Sequence, residues 1–111
     1  MKILLLIFTV FLLASCQSEE PTIVLSNITN VYSKDVSKVQ VDETVIYVQE
    51  GLTIAELFTI LASTDDSTQS YSATANDGSP KTRDKLFEYD QIVVTSESKE
   101  FSKTYSVRYF V

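Results

Sequence analysis

The stretch EGLTIAELFTILAST (residues 50–64) decides the fold of this chain. Gly51 breaks the extended stretch before it. Thr53 and Glu56 then have the spacing of a capping box, which starts a helix because the two residues satisfy each other's free backbone N–H groups. Apolar residues follow at the spacing of one helical face: Ile54, Leu57, Phe58 and Leu61. The stretch predicts a helix over about residues 54–62 that buries this apolar stripe against a sheet.

Strand patterns lie upstream of this helix. Residues 37–41 (SKVQV) and 44–49 (TVIYVQ) alternate in polarity, which is typical of β-strands with two different faces. Asp42 and Glu43 between them predict a two-residue turn and therefore a hairpin. Residues 22–36 are β-prone but irregular, and we interpret them as a lead-in or an edge strand.

Downstream of the helix, three further strands are predicted, over residues 70–75, 91–95 and 101–110. The turn NDGSP (residues 76–80) follows the first of them, with Gly78 free to adopt a positive φ. Leu86 and Phe87 are expected to fill the core just before the second. In the last and longest stretch, Tyr105 and Tyr109 share one face of the strand.

The order strand, strand, helix, strand, strand, strand predicts the fold class. It is α+β, with a small mixed or antiparallel sheet covered on one face by a single helix, in a β-grasp-like arrangement. We expect residues 37–111 to form this one domain, since so short a chain has little room for a second core.

Composition excludes several functions. The chain carries a net charge of −6, which disfavours binding to nucleic acid because phosphates would be repelled. It has no histidine, so neither a Ser-His-Asp triad nor a histidine-based zinc site can be built. We therefore expect a protein that is not an enzyme, without a cofactor or a metal.

The helix and the strands around it are similar to a module repeated in bacterial surface proteins. The similarity covers about residues 44–110 and implies a fold and an extracellular setting, without catalytic residues. Leu52 stands where that module usually has threonine, and Tyr89 where it usually has the glycine before Asp90. The matching positions are Gly51, Thr53, Glu56, Leu57, Asp77, Gly78, Asp90, Val93, Thr95, Lys103, Thr104 and Tyr105.

The N-terminus predicts export. Lys2 precedes an apolar stretch, residues 3–13, that is too short to cross a bilayer and has the length of a signal-peptide core. Residues 13–16 (Leu-Ala-Ser-Cys) then resemble the lipobox of bacterial lipoproteins. The resemblance implies a signal peptide over residues 1–15, cleavage between Ser15 and Cys16, and lipidation of Cys16, the only cysteine in the chain.

Residues 16–21 (CQSEEP) are predicted to form a flexible tether behind the lipidated cysteine. Several acyl chains hold a small domain stably on a membrane, whereas one chain is marginal. Ser18, Glu19 and Glu20 also resemble the acidic export signal of surface lipoproteins in Bacteroidetes. We expect a cell-envelope protein at the outer membrane, facing either the periplasm or the cell surface.

Three groups of residues are candidate sites. Asp65, Asp66 and Asp77 offer carboxylates for calcium, but they match no EF-hand loop, and helix-end and turn chemistry explains them better. Ser67, in Asp66-Ser67-Thr68, resembles an acceptor for O-glycosylation in Bacteroidetes. Finally, Tyr47, Tyr105 and Tyr109 could form an exposed strip that binds a glycan or a protein, but cross-strand pairing on the open sheet face explains them better.

Taken together, these features predict a membrane-anchored envelope lipoprotein that acts as a non-enzymatic binding or interaction module. An inhibitor or immunity-type lipoprotein that neutralises a secreted effector is one alternative, since charge speeds the capture of an oppositely charged partner. A structural accessory of a larger surface complex is another. The last strand, residues 104–111, is also a candidate free edge for pairing with a partner's strand.

Overall fold

The computed structural model describes residues 24–81 and 83–110. The predicted signal peptide, the lipobox with Ser15 and Cys16, the tether over residues 16–21 and the first two residues of the lead-in all lie outside them. The described elements, in chain order, are β1 (Val31–Ser33), β2 (Val39–Asp42), β3 (Val45–Val48), α1 (Ile54–Ile60), β4 (Leu61–Ser63), β5 (Ser70–Thr74), β6 (Gln91–Thr95) and β7 (Ser102–Tyr109).

Five strands form the main sheet, in the order β2-β3-β7-β6-β5. Strands β3 and β7 are parallel, and the other neighbours are antiparallel. Strands β1 and β4 form a separate antiparallel pair. The prediction of an α+β domain with a mixed sheet and a single helix is confirmed within the described residues.

The last strand lies at the centre of the main sheet. Strand β7 is flanked by β3 and β6, so the prediction of a free C-terminal edge strand is wrong. The edges are β2 and β5 instead. As in a β-grasp sheet, the last strand runs parallel to a strand of the first hairpin; here that neighbour is β3, the hairpin's second strand.

Helix α1 begins where the capping box predicts. The Thr53 hydroxyl accepts a hydrogen bond from the Glu56 backbone N–H at 3.1 Å, and the Glu56 carboxylate accepts one from the Thr53 N–H at 3.4 Å. The helix ends at Ile60, two residues before the predicted end. Leu61 is extended because residues 61–63 pair with β1.

The core lies between α1 and one face of the main sheet. Leu57 and Leu61 of the predicted stripe are buried, while Ile54 and Phe58 are partly buried against the same core. Leu86 is buried as predicted, but Phe87 is 42% exposed. The fully buried residues that the sheet contributes are Val39, Ile46, Val48, Ile92, Val94, Tyr105 and Val107.

Two turns depart from the sequence pattern. Asp42 pairs with Val45, so the hairpin turn consists of Glu43 and Thr44, one residue later than predicted, and Glu43 adopts a φ of 53°. Tyr89 adopts a φ of 71°, in the left-handed region that favours glycine. The predicted resemblance to a surface-protein module would place a glycine at this position.

The helix cap gives a first prediction. Replacing Thr53 with alanine removes the hydroxyl that caps the Glu56 N–H, and we expect the free energy of unfolding to fall by about 1 kcal/mol. Thr53→Ser keeps the hydroxyl and should lose much less. Urea denaturation of the two variants checks this. An equal loss in both would mean that the methyl group, and not the cap, carries the effect.

Candidate functional site

One face of the main sheet is not covered by other elements of the described chain. The pairing registers place on this face the side chains opposite those of the core, and none of them is buried. We call this surface the open face. Its residues are Gln40, Asp42, Val45, Tyr47, Ser70, Ser72, Thr74, Gln91, Val93, Thr95, Ser102, Thr104, Ser106 and Arg108.

A cluster of aromatic and charged side chains lies at one end of the open face. Tyr47 and Arg108 are direct neighbours across the parallel β3–β7 pair. The Arg108 guanidinium lies 4.8 Å from the ring centroid of Tyr89, and its Nε is 3.3 Å from a carboxylate oxygen of Glu88. Tyr89 is half exposed. We call Tyr47, Glu88, Tyr89 and Arg108 the Tyr–Arg cluster.

The predicted strip of three tyrosines is wrong, because the chain places them on opposite faces of the sheet. Only Tyr47 lies on the open face. Tyr105 is 1% exposed, and its hydroxyl donates to the Thr29 carbonyl at 3.0 Å. The Tyr109 hydroxyl donates to the Leu86 carbonyl at 3.1 Å, and burial raises the pKa of its phenol. Tyr105 and Tyr109 therefore pack in or against the hydrophobic core and not on the exposed face of the sheet.

Ser67, the candidate acceptor for O-glycosylation, belongs to a hydrogen-bonded network around Asp65. Its hydroxyl donates to Asp65 Oδ1 at 2.6 Å and lies 3.0 Å from the Ser63 hydroxyl. The Ser26 hydroxyl donates to the other carboxylate oxygen at 2.6 Å. Hydrogen bonds from Ser26, Ser63 and Ser67 hold the pKa of Asp65 well below its ordinary value of 3.8.

Of the three aspartates considered for calcium, Asp65 and Asp77 use their carboxylates in local structure, and Asp66 ends a turn and has a φ of 61°. Asp65 is committed to the serine network, and Asp77 Oδ1 accepts from both the backbone N–H and the hydroxyl of Ser79, inside the predicted turn. Within residues 24–81 and 83–110, no group of three or more acidic or other metal-ligating side chains is placed to hold an ion.

The Asp65 network predicts a dependence on pH. The pKa of Asp65 is lower in the folded chain than in the unfolded chain, so this carboxylate stabilises the fold above about pH 4 and loses that contribution as the pH falls. We expect Asp65→Asn to flatten the loss of stability between pH 5 and pH 2, measured by urea denaturation. Asp42→Asn is the matched control. Identical pH profiles for wild type and Asp65→Asn would contradict the prediction.

The start of the N-terminal segment (residues 24–30), at Ser26 and Asn27, is bonded at the end of the sheet remote from the Tyr–Arg cluster. The Ser98 N–H donates to the Ser26 carbonyl at 3.0 Å, and the Ser98 hydroxyl donates to Asn27 at 2.6 Å. Ser98 lies in the loop that precedes Ser102, the start of β7. Arg108 lies six residues further along that strand, about 20 Å away at the rise of an extended chain.

Two open clefts are weaker candidates. One, of about 270 Å³, is lined by residues that include Lys81 and Phe87, and the other, of about 370 Å³, by residues that include Lys103 and Tyr105. The lysine in each is already engaged, and Arg83 also lines the first cleft. Lys81 forms an ion pair with Asp90, while the Lys103 ammonium bonds Asn30 at 3.2 Å and lies over the Tyr105 ring. The charge of Lys81 is therefore paired, while the Lys103 ammonium is held by neutral partners that fix its position.

In the part of the chain that the structure describes, no helix has the length and apolar character needed to span a membrane. Comparisons of the chain with protein-family models, with curated proteins and with solved structures gave no match. The open face and its Tyr–Arg cluster are therefore assigned from their own geometry and chemistry.

Proposed function

We propose that this chain is a membrane-anchored envelope lipoprotein whose single domain is a non-enzymatic interaction module, and that the open face is its contact surface. The observation that carries the proposal is the Tyr–Arg cluster. Tyrosine and arginine are enriched at interfaces and among the residues that dominate binding energy, since both combine a large contact area with hydrogen-bonding groups.

The position of the cluster fits an anchored protein. The N-terminal segment, which would follow the predicted tether, is bonded to the loop before β7. The Tyr–Arg cluster lies at the other end of β7, on the face turned away from the core. In this proposal an anchor on Cys16 holds the domain on the side of its N-terminal segment and leaves the cluster accessible to a partner.

Site-specific crosslinking in intact cells tests the proposal. A photo-crosslinking analogue of phenylalanine is placed at position 47, on the open face, or at position 32. Tyr32 is the matched control because it is 44% exposed but lies on β1, outside the main sheet. We expect specific adducts from position 47 and not from position 32. Adducts of equal yield from both positions, or none from position 47, would refute the contact surface.

The anchor is tested by the same experiment in a Cys16→Ala background. If lipidation positions the domain, the variant should leave the membrane fraction and lose its adducts at position 47. Retention in the membrane without Cys16 would argue against the lipoprotein assignment. Hydrolysis of envelope glycans that depends on a specific carboxylate of this chain would instead overturn the non-enzymatic part of the proposal.

A further inference from the structure

We propose that the open face binds an uncharged polysaccharide, with sugar rings packed on Tyr47 and Tyr89. This inference rests on the proposed function, because it names the chemical class of partner that the same surface would bind. Three properties of the face carry it: the exposed tyrosines at one end, the balance of charge, and the rows of hydroxyl groups across the strands.

The tyrosines supply surfaces for stacking. Tyr89 is 50% exposed, and Tyr47 is partly exposed beside Arg108. A pyranose ring presents an apolar C–H face and a rim of hydroxyl groups. A tyrosine matches both, since its ring offers an apolar face and its phenol oxygen a hydrogen-bonding group. The Arg108 guanidinium packs against the Tyr89 ring, which restrains that ring at the surface.

The open face has a different charge balance from the molecule as a whole. The chain as a whole carries −6, yet the strands contribute only one acid and one base to the open face, Asp42 and Arg108, while the Lys99 ammonium reaches the Ser70 hydroxyl at its edge. Arg108 is in turn paired with Glu88 at the rim. The face itself therefore offers few local contacts to a strongly charged ligand, and the net charge of the whole chain repels an acidic polymer.

Hydroxyl and amide groups dominate the remainder of the face. Each of these side chains can both donate and accept a hydrogen bond, which suits the hydroxyl groups of a sugar. The strands repeat about every 4.8 Å across the sheet, so the groups form regular rows that an extended polymer can follow. The residues concerned are Ser70, Ser72, Thr74, Gln91, Thr95, Ser102, Thr104 and Ser106.

Affinity electrophoresis tests the inference. The full-length protein, purified in detergent, is run in native gels that contain dextran, α-mannan, xylan or mixed-linkage β-glucan, with alginate and polygalacturonate as acidic comparisons. We expect at least one neutral polysaccharide to retard the protein and the acidic ones to have no effect. Tyr47→Ala and Tyr89→Ala should each weaken binding about tenfold, as truncation of a dominant contact residue does.

Three further variants test whether any loss of binding comes from the tyrosine rings of the open face. Tyr32→Ala removes a tyrosine of similar exposure that lies off the open face, and binding should be unchanged. Tyr47→Phe and Tyr89→Phe keep the rings and should keep most of the affinity. They also separate a loss of stacking from a loss of folding, which thermal denaturation of each variant checks.

Several results would overturn the inference. These are no retardation by any of the four neutral polysaccharides, retardation only by acidic ones, or equal retardation of Tyr47→Ala, Tyr89→Ala and wild type. A protein adduct from position 47 without glycan binding would refute this inference and leave the proposed function standing. No adduct from position 47 together with no retardation would refute both.

Discussion

Replacing Tyr105 with alanine is expected to lower the free energy of unfolding by about 3 to 5 kcal/mol, the range for removing a large aromatic side chain from a core. Tyr105 is 1% exposed on the central strand β7, and its hydroxyl bonds the Thr29 carbonyl. The change opens a cavity beneath the N-terminal segment and leaves that carbonyl without its donor. Urea denaturation, with the slope of the transition monitored, measures the loss.

Tyr47→Ala is the matched control for this prediction. Tyr47 belongs to the neighbouring strand β3 but lies on the open face, so we expect its removal to cost less than about 1 kcal/mol, the scale of a cross-strand pair. A third variant, Tyr105→Phe, keeps the ring and loses only the hydrogen bond, with an expected cost of about 1 kcal/mol. Similar losses for Tyr105→Ala and Tyr47→Ala would contradict the assignment of the two faces.

Replacing Lys81 with methionine is expected to cost about 3 to 5 kcal/mol, because it leaves the carboxylate of a buried ion pair without its cation. The side chains of Lys81 and Asp90 are only 8% and 6% exposed. The same Asp90 oxygen accepts a hydrogen bond from the Phe87 N–H at 2.8 Å, so the pair also fixes the turn that leads into β6. Urea denaturation again gives the free energy of unfolding.

The double variant Lys81→Met, Asp90→Asn tests the cause of the lost stability. The cause is either the unpaired charge of Asp90 or the lost packing of the Lys81 side chain. Asparagine removes the charge and keeps an oxygen that can accept from the Phe87 N–H. We expect the double variant to be more stable than Lys81→Met alone. Lys38→Met, at an exposed lysine, should change stability by less than about 0.5 kcal/mol. A double variant no more stable than the single one would mean that Lys81 acts through its packed methylene chain.

Features determined by neighbouring residues could be predicted from the sequence. The capping box located the start of α1, and alternation located β6 with its observed bounds, residues 91–95. Both signals are complete within about a dozen residues. The end of the helix could not be read in this way, because residues 61–63 are recruited by β1, which lies thirty residues earlier in the chain.

The candidate site, too, could be predicted only where neighbouring residues determine it. Alternation showed that Tyr105 and Tyr109 share a face, but it does not say whether that face meets the core or solvent. The answer depends on which strands flank β7 and in which register. Tyr89 and Arg108 were missed for the same reason. Tyr89 stood out in the sequence only as a residue in place of a glycine, and its contact with Arg108 arises from the turn it forms.

The central position of β7 has a consequence for the order in which the chain folds. Among the described strands of the main sheet, β7 alone joins the β2–β3 hairpin to the β5–β6 hairpin. The β2–β3 hairpin forms by local contacts and β5 pairs with β6 across residues 75–90, whereas the parallel β3–β7 pair joins residue 45 to residue 106 and closes a much longer loop, a slow step in folding. Folding of the main sheet must therefore wait for residues 102–109, so the β2–β3 and β5–β6 pairs cannot be joined before β7 is present.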